Sequence, residues 1–247
     1  MRLSGKVALV TGGSRGIGFA TAKILSENGA TVIITARNQE RLEKSISKIS
    51  NSIGIAADIR NSDDVKNVVN KTIEKFGRLD ILVNNAGIFP KIKQLHEIDE
   101  DEWNEVLDVN LTGQFRFTKE AIPHLQKTSG SIINISSDAG IKAYQGFNAD
   151  AYSASKAALI LLTKCWALEY SKDKIRVNCI CPGVVDTDMT KPFLKTQKDK
   201  EFMNSEHPIG RIGQPDEIGK AVLYFASDDA SWTTGAVLTV DGGESIK

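Results

Sequence analysis

Val7-Ala8-Leu9-Val10-Thr11-Gly12-Gly13-Ser14-Arg15-Gly16-Ile17-Gly18 is a short, continuous apolar run that ends in a glycine-rich turn. An apolar run without alternation is the pattern of a strand covered on both faces, and the residues after it, 16–28, read as a helix. In such a turn Gly12 lets the chain bend sharply, Gly16 lets the backbone approach a pyrophosphate, and Gly18 lets the helix pack closely on the strand. The helix start then offers free N–H groups and the positive end of its dipole to phosphates. The spacing is G-x-x-x-G-x-G, not the commoner G-x-G-x-x-G. Its place between the first strand and the first helix points to a dinucleotide held by Gly12, Ser14, Arg15, Gly16, Ile17 and Gly18.

Outward from this turn the alternation continues to the end of the chain. Strands are expected at 6–11, 31–35, 53–57, 79–83, 130–136, 174–180 and 236–240. Helices are expected at 16–28, 38–50, 62–76, 100–127, 151–170 and 215–226. Asn61 or Ser62 suits the cap of the third helix, and Gly29 and Gly77 sit where helices end. Strand–helix alternation over this length implies an α/β chain of Rossmann type. It is a doubly wound, mainly parallel, seven-stranded sheet with helices on both faces and right-handed crossovers. With no linker or repeat, residues 1–247 read as one domain. Residues 186–210 are polar but carry Met189, Phe193, Leu194, Phe202 and Met203, the composition of a lid over a substrate pocket.

Lys plus Arg number 31 and Asp plus Glu number 31, so the balance gives no electrostatic footprint for nucleic acid or for an anionic membrane. No apolar run approaches the ~20 residues of a membrane span. The start of the chain lacks an h-region of signal-peptide length, so a cytoplasmic protein is expected. Cys165, Cys179 and Cys181 are too few and too oddly spaced for a disulfide framework or a zinc knuckle, and no metal site is expected. His96, His124 and His207 lie away from strand ends and read as surface or packing residues.

Ligands of such sheets bind at the carboxyl ends of the strands. The second strand ends Ile34-Thr35-Ala36-Arg37-Asn38, without the acid that would hold the ribose hydroxyls of NAD. Arg37 offers a guanidinium fork to a 2′-phosphate, and Arg15 can add a second cation. The expected cofactor is therefore NADP(H).

The fifth strand ends Ile135-Ser136-Ser137, and Tyr152-Ser153-Ala154-Ser155-Lys156 follows at the start of a long helix. Tyr152 and Lys156, four apart, share a helix face. A tyrosine of pKa ~10 is a poor base near neutrality; a nearby ammonium, or the positive charge of an oxidised nicotinamide, is expected to lower that value. Tyr152 then exchanges a proton with an alcohol or carbonyl as hydride moves. A serine hydroxyl at the strand end holds the substrate oxygen. Tyr170 and Lys174 repeat the spacing, but they straddle a helix end with no strand-end serine before them, and they read as structural.

At these residues the chain resembles the short-chain dehydrogenase/reductase family. The resemblance runs from the Thr11–Gly18 turn through Asp58, Asn84-Asn85-Ala86-Gly87, Asn110, Ser137, Tyr152 and Lys156. It continues through Pro182-Gly183-Val184-Val185-Asp186-Thr187 to Asp241-Gly242-Gly243. It implies that Tyr152 is the acid/base, that Lys156 tunes it and binds the nicotinamide ribose, and that Ser137 rather than Ser136 orients the substrate oxygen. It implies that Asn110 holds a water of a proton relay. Asp58 and Ile59 would meet the adenine, and Asn85, Ala86 and Gly87 would line the cofactor path. Val185 and Thr187, in the segment opened by Pro182 and Gly183, would hold the carboxamide. The interval from Ser137 to Tyr152 is longer than is common in the family, so the 141–151 loop is expected either to reshape the substrate pocket or to shift which of Ser136 and Ser137 does the chemistry. Asn84 also reads as a tie between strands, and Asp241 as a turn cap.

The helix at 151–170 is apolar almost all round beyond Lys156, and the helix carrying Trp103, Val106, Leu107, Leu111, Phe115 and Phe117 is similar. Both imply burial against another copy of the chain, as a homotetramer or homodimer. The substrate is a small carbonyl or alcohol compound that Asp138, Lys142, Tyr144, Phe147, Asn148 and Asp150 could line. The leading expectation is a carbonyl reductase resembling the 3-oxoacyl-[acyl-carrier-protein] reductases. The alternatives are a sugar or polyol dehydrogenase and, in another class, an inert NADP(H)-sensing or scaffold protein.

Overall fold

A computed structural model describes all residues 1–247. Seven parallel strands form one sheet: β1 (Val7–Thr11), β2 (Thr31–Ala36), β3 (Ser52–Ala56), β4 (Ile81–Asn84), β5 (Ser131–Ile135), β6 (Arg176–Pro182) and β7 (Val237–Val240). Their spatial order is β3-β2-β1-β4-β5-β6-β7. The order reverses between β1 and β4, where Leu9 pairs with Leu82 and Val10 with Val83. A crevice opens at the carboxyl ends of strands at such a reversal.

The helices are α1 (Gly16–Glu27), α2 (Gln39–Ile46), α3 (Ser62–Phe76), α4 (Glu100–Leu107), α5 (Gly113–Thr128), α6 (Asp150–Glu169), α7 (Gln197–Glu206) and α8 (Pro215–Ala226). Successive strand residues point to opposite faces, so β1 feeds two cores. Ala8 and Val10 join a cluster of 22 buried residues with α1 and α8, and Val7 and Leu9 join another of 22 that includes residues of α3, α5 and α6. No helix is long and apolar enough to cross a membrane.

Two expectations need correction. The helix expected over 100–127 is divided: a π-helical turn, Asp108–Thr112, separates α4 from α5. Such turns widen the helix by one residue and are frequent at functional sites. The helix expected over 38–50 stops at Ile46. There Ser45 donates to Ser14 O at 2.9 Å, and Ser52 donates to Ile49 O at 2.7 Å, giving the chain other hydrogen bonds than a continued helix. Within 186–210, α7 forms behind a reciprocal cap: Asp199 N donates to Thr196 Oγ1 at 3.1 Å and Thr196 N to Asp199 Oδ2 at 2.8 Å.

Candidate active site

The crevice at the β1/β4 reversal encloses about 310 Å³. Its wall contains Gly12, Ser14, Arg15, Gly16, Ile17, Gly18, Arg37, Asp58, Ile59, Asn85, Ala86 and Gly87. It also contains Ser137, Tyr152, Lys156, Pro182, Gly183, Val185 and Thr187, so chain order and fold converge on one cavity.

The glycine turn is built as its residue types require. A side chain at Gly12 would stand 2.9 Å from Ala86 Cα, and one at Gly18 would stand 2.4 Å from both Gly12 O and the Asn85 amide. Gly16 has φ +51°, and a side chain there would reach Thr187 at 3.3 Å across the mouth of the cleft. α1 begins with no side-chain cap and no acidic residue in its first turn. Its first N–H groups are therefore left for an anion, which fits a bound pyrophosphate.

At the outer end Arg15, Arg37, Asn38 and Arg41 line the cleft. Arg15 reaches only Asp188, at 3.8 Å, and Arg37 and Arg41 form no contact ion pair. Arg41 did not stand out in the sequence because it lies one helical turn beyond the strand end that carries Arg37. Asp58 departs from a simple adenine contact. Arg60 grips its carboxylate, with the shortest bond 2.7 Å, and this hydrogen bonding holds its pKa below the usual range.

At the inner end, Ser136 and Ser137 diverge. Ser136 Oγ donates to Lys156 O at 2.7 Å, whereas Ser137 Oγ donates to Asp138 Oδ1 at 2.9 Å and lines the cleft with Tyr152. Lys156 Nζ donates to Ile135 O at 2.9 Å and lies 5.6 Å from the Tyr152 ring centre. Burial lowers the Lys156 ammonium to about 8 and raises the Tyr152 phenol to about 12, with Ser137 pulling the phenol back. Desolvation of the ring pushes the phenol up, while the ammonium is committed to a backbone carbonyl.

Asn110 sits in the π-helical turn. Its Oδ1 accepts from Ile88 N at 2.8 Å, and its Nδ2 donates to Ile88 O at 3.0 Å and to Ser155 Oγ at 3.4 Å. The side chain therefore pins the turn after β4 against α6. The Cβ position of Gly87 lies 3.4 Å from Asn110 Oδ1 and 3.7 Å from Lys156 Nζ, so the turn passes within van der Waals contact of both. Asn84 is a tie between strands, donating to Asn134 Oδ1 at 2.8 Å and to Thr118 Oγ1 at 2.9 Å. Asp241 caps its turn, accepting from Gly243 N and Ser245 N.

Aromatic rings close over Tyr152. Phe89, from the turn after β4, lies 5.0 Å from Tyr152, 5.5 Å from Phe147 of the 141–149 loop and 5.5 Å from Phe193 of the 186–210 segment. Phe89 is a site residue the sequence reading missed; only its nearness to Asn84–Gly87 could have suggested it. Of the other pocket candidates, Tyr144 spends its hydroxyl on Asp138 Oδ2 at 2.8 Å, and Lys142 donates to Lys247 O. His207 is a packing residue: it is buried, with Nε2 3.0 Å from Glu244 Oε2.

Residues 12–245 match the sequence model of a family described as enoyl-(acyl carrier protein) reductase. The chain is 40% identical to a 3-oxoacyl-[acyl-carrier-protein] reductase of Thermotoga maritima, over 98% of this chain and 99% of that one. It is 37% identical to an L-fucose dehydrogenase of Bos taurus, over 99% of this chain and 91% of the relative. The crystal structure of gox2181 superimposes with a TM-score of 0.96 at 32% identity, covering 100% of this chain and 98% of that one. Cleft, catalytic turn and relatives agree, and the chain belongs to the short-chain dehydrogenase/reductase family of nicotinamide-dependent oxidoreductases acting on hydroxyl and keto groups.

Proposed function

We propose that this protein is an NADP(H)-dependent ketone or 3-oxoacyl reductase in which Tyr152 delivers the proton. One observation carries the reading: Tyr152 stands at the inner end of the cleft under the Phe89 ring, 5.0 Å away, and burial there pushes its phenol up, towards the neutral form. A neutral phenol is the right state for giving a proton to a carbonyl oxygen, and the wrong one for taking a proton from an alcohol at pH 7.

A nicotinamide held in this cleft would supply the hydride. Ser137 holds the carbonyl oxygen, which gains negative charge as hydride arrives, and Tyr152 protonates it. Lys156, fixed by Ile135 O, keeps a positive charge behind the phenol and is placed to meet the nicotinamide ribose. Asn110 positions the Ala86–Ile88 turn that forms the cleft wall. Gly12 to Gly18 cradle the pyrophosphate, and Arg37 and Arg41, with Arg15, receive a 2′-phosphate. Asp58 and Ile59 flank the adenine, and Pro182, Gly183, Val185 and Thr187 border the carboxamide. The rings of Phe89, Phe147 and Phe193 favour a ketone with an apolar substituent, and residues 186–210 serve as the lid. The likeness to an L-fucose dehydrogenase supports sugar oxidation as a second reading. The ring-lined chamber offers a polyol few hydrogen-bond partners, since the Tyr144 hydroxyl is already engaged.

Leu161 and Leu168 on α6 and Phe115 on α5 are 63%, 79% and 47% exposed, supporting assembly into a homodimer or homotetramer through these helices. A monomer by light scattering at micromolar concentration would refute that assembly.

Loss of NADPH absorbance against a panel of ketones, 3-oxoacyl thioesters, sugars and polyols tests the function. Turnover of a ketone or thioester, reduced about 100- to 10,000-fold by Tyr152→Phe, is expected. Turnover confined to sugars supports the second reading. Tight nucleotide binding with no turnover of any compound points to a sensor.

A further inference from the structure

Beside Ser137 lies a row of titratable side chains that the proton transfer above does not use. Ser137 Oγ stands 2.9 Å from Asp138 Oδ1, and Tyr144 OH donates to Asp138 Oδ2 at 2.8 Å. Ala139 N donates to Asp138 Oδ1 at 2.7 Å and to Ser137 Oγ at 3.2 Å. Glu244 Oε2 is 3.0 Å from His207 Nε2, and the charge of Glu244 acts on Asp138. His207 Nδ1 in turn lies 2.7 Å from Met203 O at the end of α7. Asp138, Glu244 and His207 are 7%, 9% and 2% exposed, so all three are shut in with the end of the lid segment.

A serine hydroxyl has one proton, and an ionised carboxylate can only accept. When Asp138 is ionised, the proton of Ser137 is committed to it in a charge-assisted hydrogen bond, and Ser137 turns only lone pairs to the cleft. A carbonyl oxygen gaining negative charge needs a donor there. When Asp138 is protonated, its hold on Ser137 is an ordinary neutral hydrogen bond, and the hydroxyl can turn to the substrate.

We propose that Asp138 is a positioning residue that acts through Ser137: its protonation decides whether Ser137 donates to the substrate oxygen, and Glu244, paired with His207, sets how readily Asp138 ionises. The inference rests on Ser137 being the group that holds that oxygen.

Groups face Asp138 from every element packed on it. They are Tyr144 of the loop, Tyr152 of α6, Cys181 of β6, His207 after α7 and Glu244 after β7, with Asp241 beyond Tyr144. Burial raises the Asp138 carboxyl to about 6; the Tyr144 and Ser137 hydroxyls oppose the shift and the charge of Glu244 adds to it. For Glu244, the hydrogen bond and charge of His207 overcome the upward push of burial and hold it below its ordinary value.

The test is the pH dependence of kcat from pH 5 to 7.5, with saturating NADPH and ethyl acetoacetate, alongside ¹³C NMR titration of the Asp138 carboxyl. The wild type is expected to slow about tenfold as pH rises through about 6. Asp138→Asn should be flat over this range. Glu244→Gln, which keeps Asp138, should move the midpoint to lower pH, and Ser137→Ala should be slow with no pH limb. By NMR, Glu244→Gln should lower the Asp138 midpoint and Ser137→Ala should raise it. A limb that survives in Asp138→Asn, or a kinetic or NMR midpoint unmoved in Glu244→Gln, overturns the proposal. A wild type that turns over no carbonyl compound counts against the reductase reading, and the NMR midpoints then judge the Asp138–Glu244–Ser137 coupling alone.

Discussion

Ser136 donates its hydroxyl proton to the backbone carbonyl of Lys156, 2.7 Å away, and is thereby removed from the chemistry that its neighbour Ser137 faces. The bond joins the end of β5 to the first turns of α6. Ser136→Ala is expected to cost about 1 kcal/mol of stability by removing a buried hydrogen bond, with kcat changing by less than about tenfold. Ser137→Ala is expected to cost about 100- to 1,000-fold in kcat. Steady-state rates and urea unfolding of both variants check this; a large loss of rate in Ser136→Ala with Ser137→Ala near normal would reverse the assignment.

Arg37 and Arg41 stand unpaired at the outer end of the cleft. Replacing both with alanine is expected to raise KM for NADPH by about 10- to 100-fold through loss of charge-assisted bonds to a 2′-phosphate, while KM for NADH stays within about threefold. Parallel titrations with the two nucleotides measure the ratio. Equal effects on both would show that the arginines do not read that phosphate.

Gly140 packs on α6 so closely that a side chain there would stand 2.7 Å from the Lys156 carbonyl carbon and 2.8 Å from Ala157 N. Backbone cannot yield as a flexible side chain does. Gly140→Ala is therefore expected to push α6 away from β5, destabilising the fold by about 1–3 kcal/mol and lowering kcat by displacing Lys156. Thermal melting with kcat measured on the folded fraction separates the two effects.

Asp138 is neutralised more easily in the fold, at about 6, than at its ordinary 3.8. Folding therefore takes up a proton between these values. Its contribution is whole below pH 3.8 and is lost as pH rises through 6. Asp138→Asn lacks this loss, and relative to the parent it should gain on the order of 2 kcal/mol between pH 4 and pH 7, since one pKa unit is worth about 1.36 kcal/mol. Melting temperatures of both proteins across this range provide the comparison; parallel curves would contradict the expected shift.

Phe193 contributes one ring to the chamber over Tyr152 through its contact with Phe89. Phe193→Ala is expected to raise KM for ketones with large apolar substituents by about tenfold, the loss of an aromatic contact and its buried area, while acetone-sized substrates are little affected. A uniform change across substrate sizes would place Phe193 outside the binding chamber.

Much of this architecture was written locally. Val7–Val10 is a continuous apolar run, and Ile132–Ile135 and Val177–Ile180 are apolar runs broken only by Asn134 and Asn178; a doubly covered strand needs little more. Tyr152 and Lys156 could be paired on paper because one helical turn fixes their separation. What escaped depends on distant partners. The π-helical turn at Asp108–Thr112 leaves the apolar spacing of α4 and α5 nearly unaltered, so periodicity does not reveal it. The upward shift of Tyr152 comes from the roof of Phe89 and Phe147, which reach it from other loops. His207 finds Glu244 only because the end of α7 folds back on the turn after β7. The reciprocal cap of Thr196 and Asp199 was legible, and α7 could have been placed from it.

The reversal between β1 and β4 has a consequence for how the protein comes to be. Thr11 meets the Val83 carbonyl across 72 residues of chain, so the two walls of the nucleotide cleft cannot face each other until the first third of the molecule has been assembled. Contacts so distant form slowly. The glycine turn, though encoded within a dozen residues of the start, is silent in any nascent fragment that lacks β4. Occupancy by nucleotide thus reports completion of the sheet, and it draws the folding equilibrium towards the finished molecule.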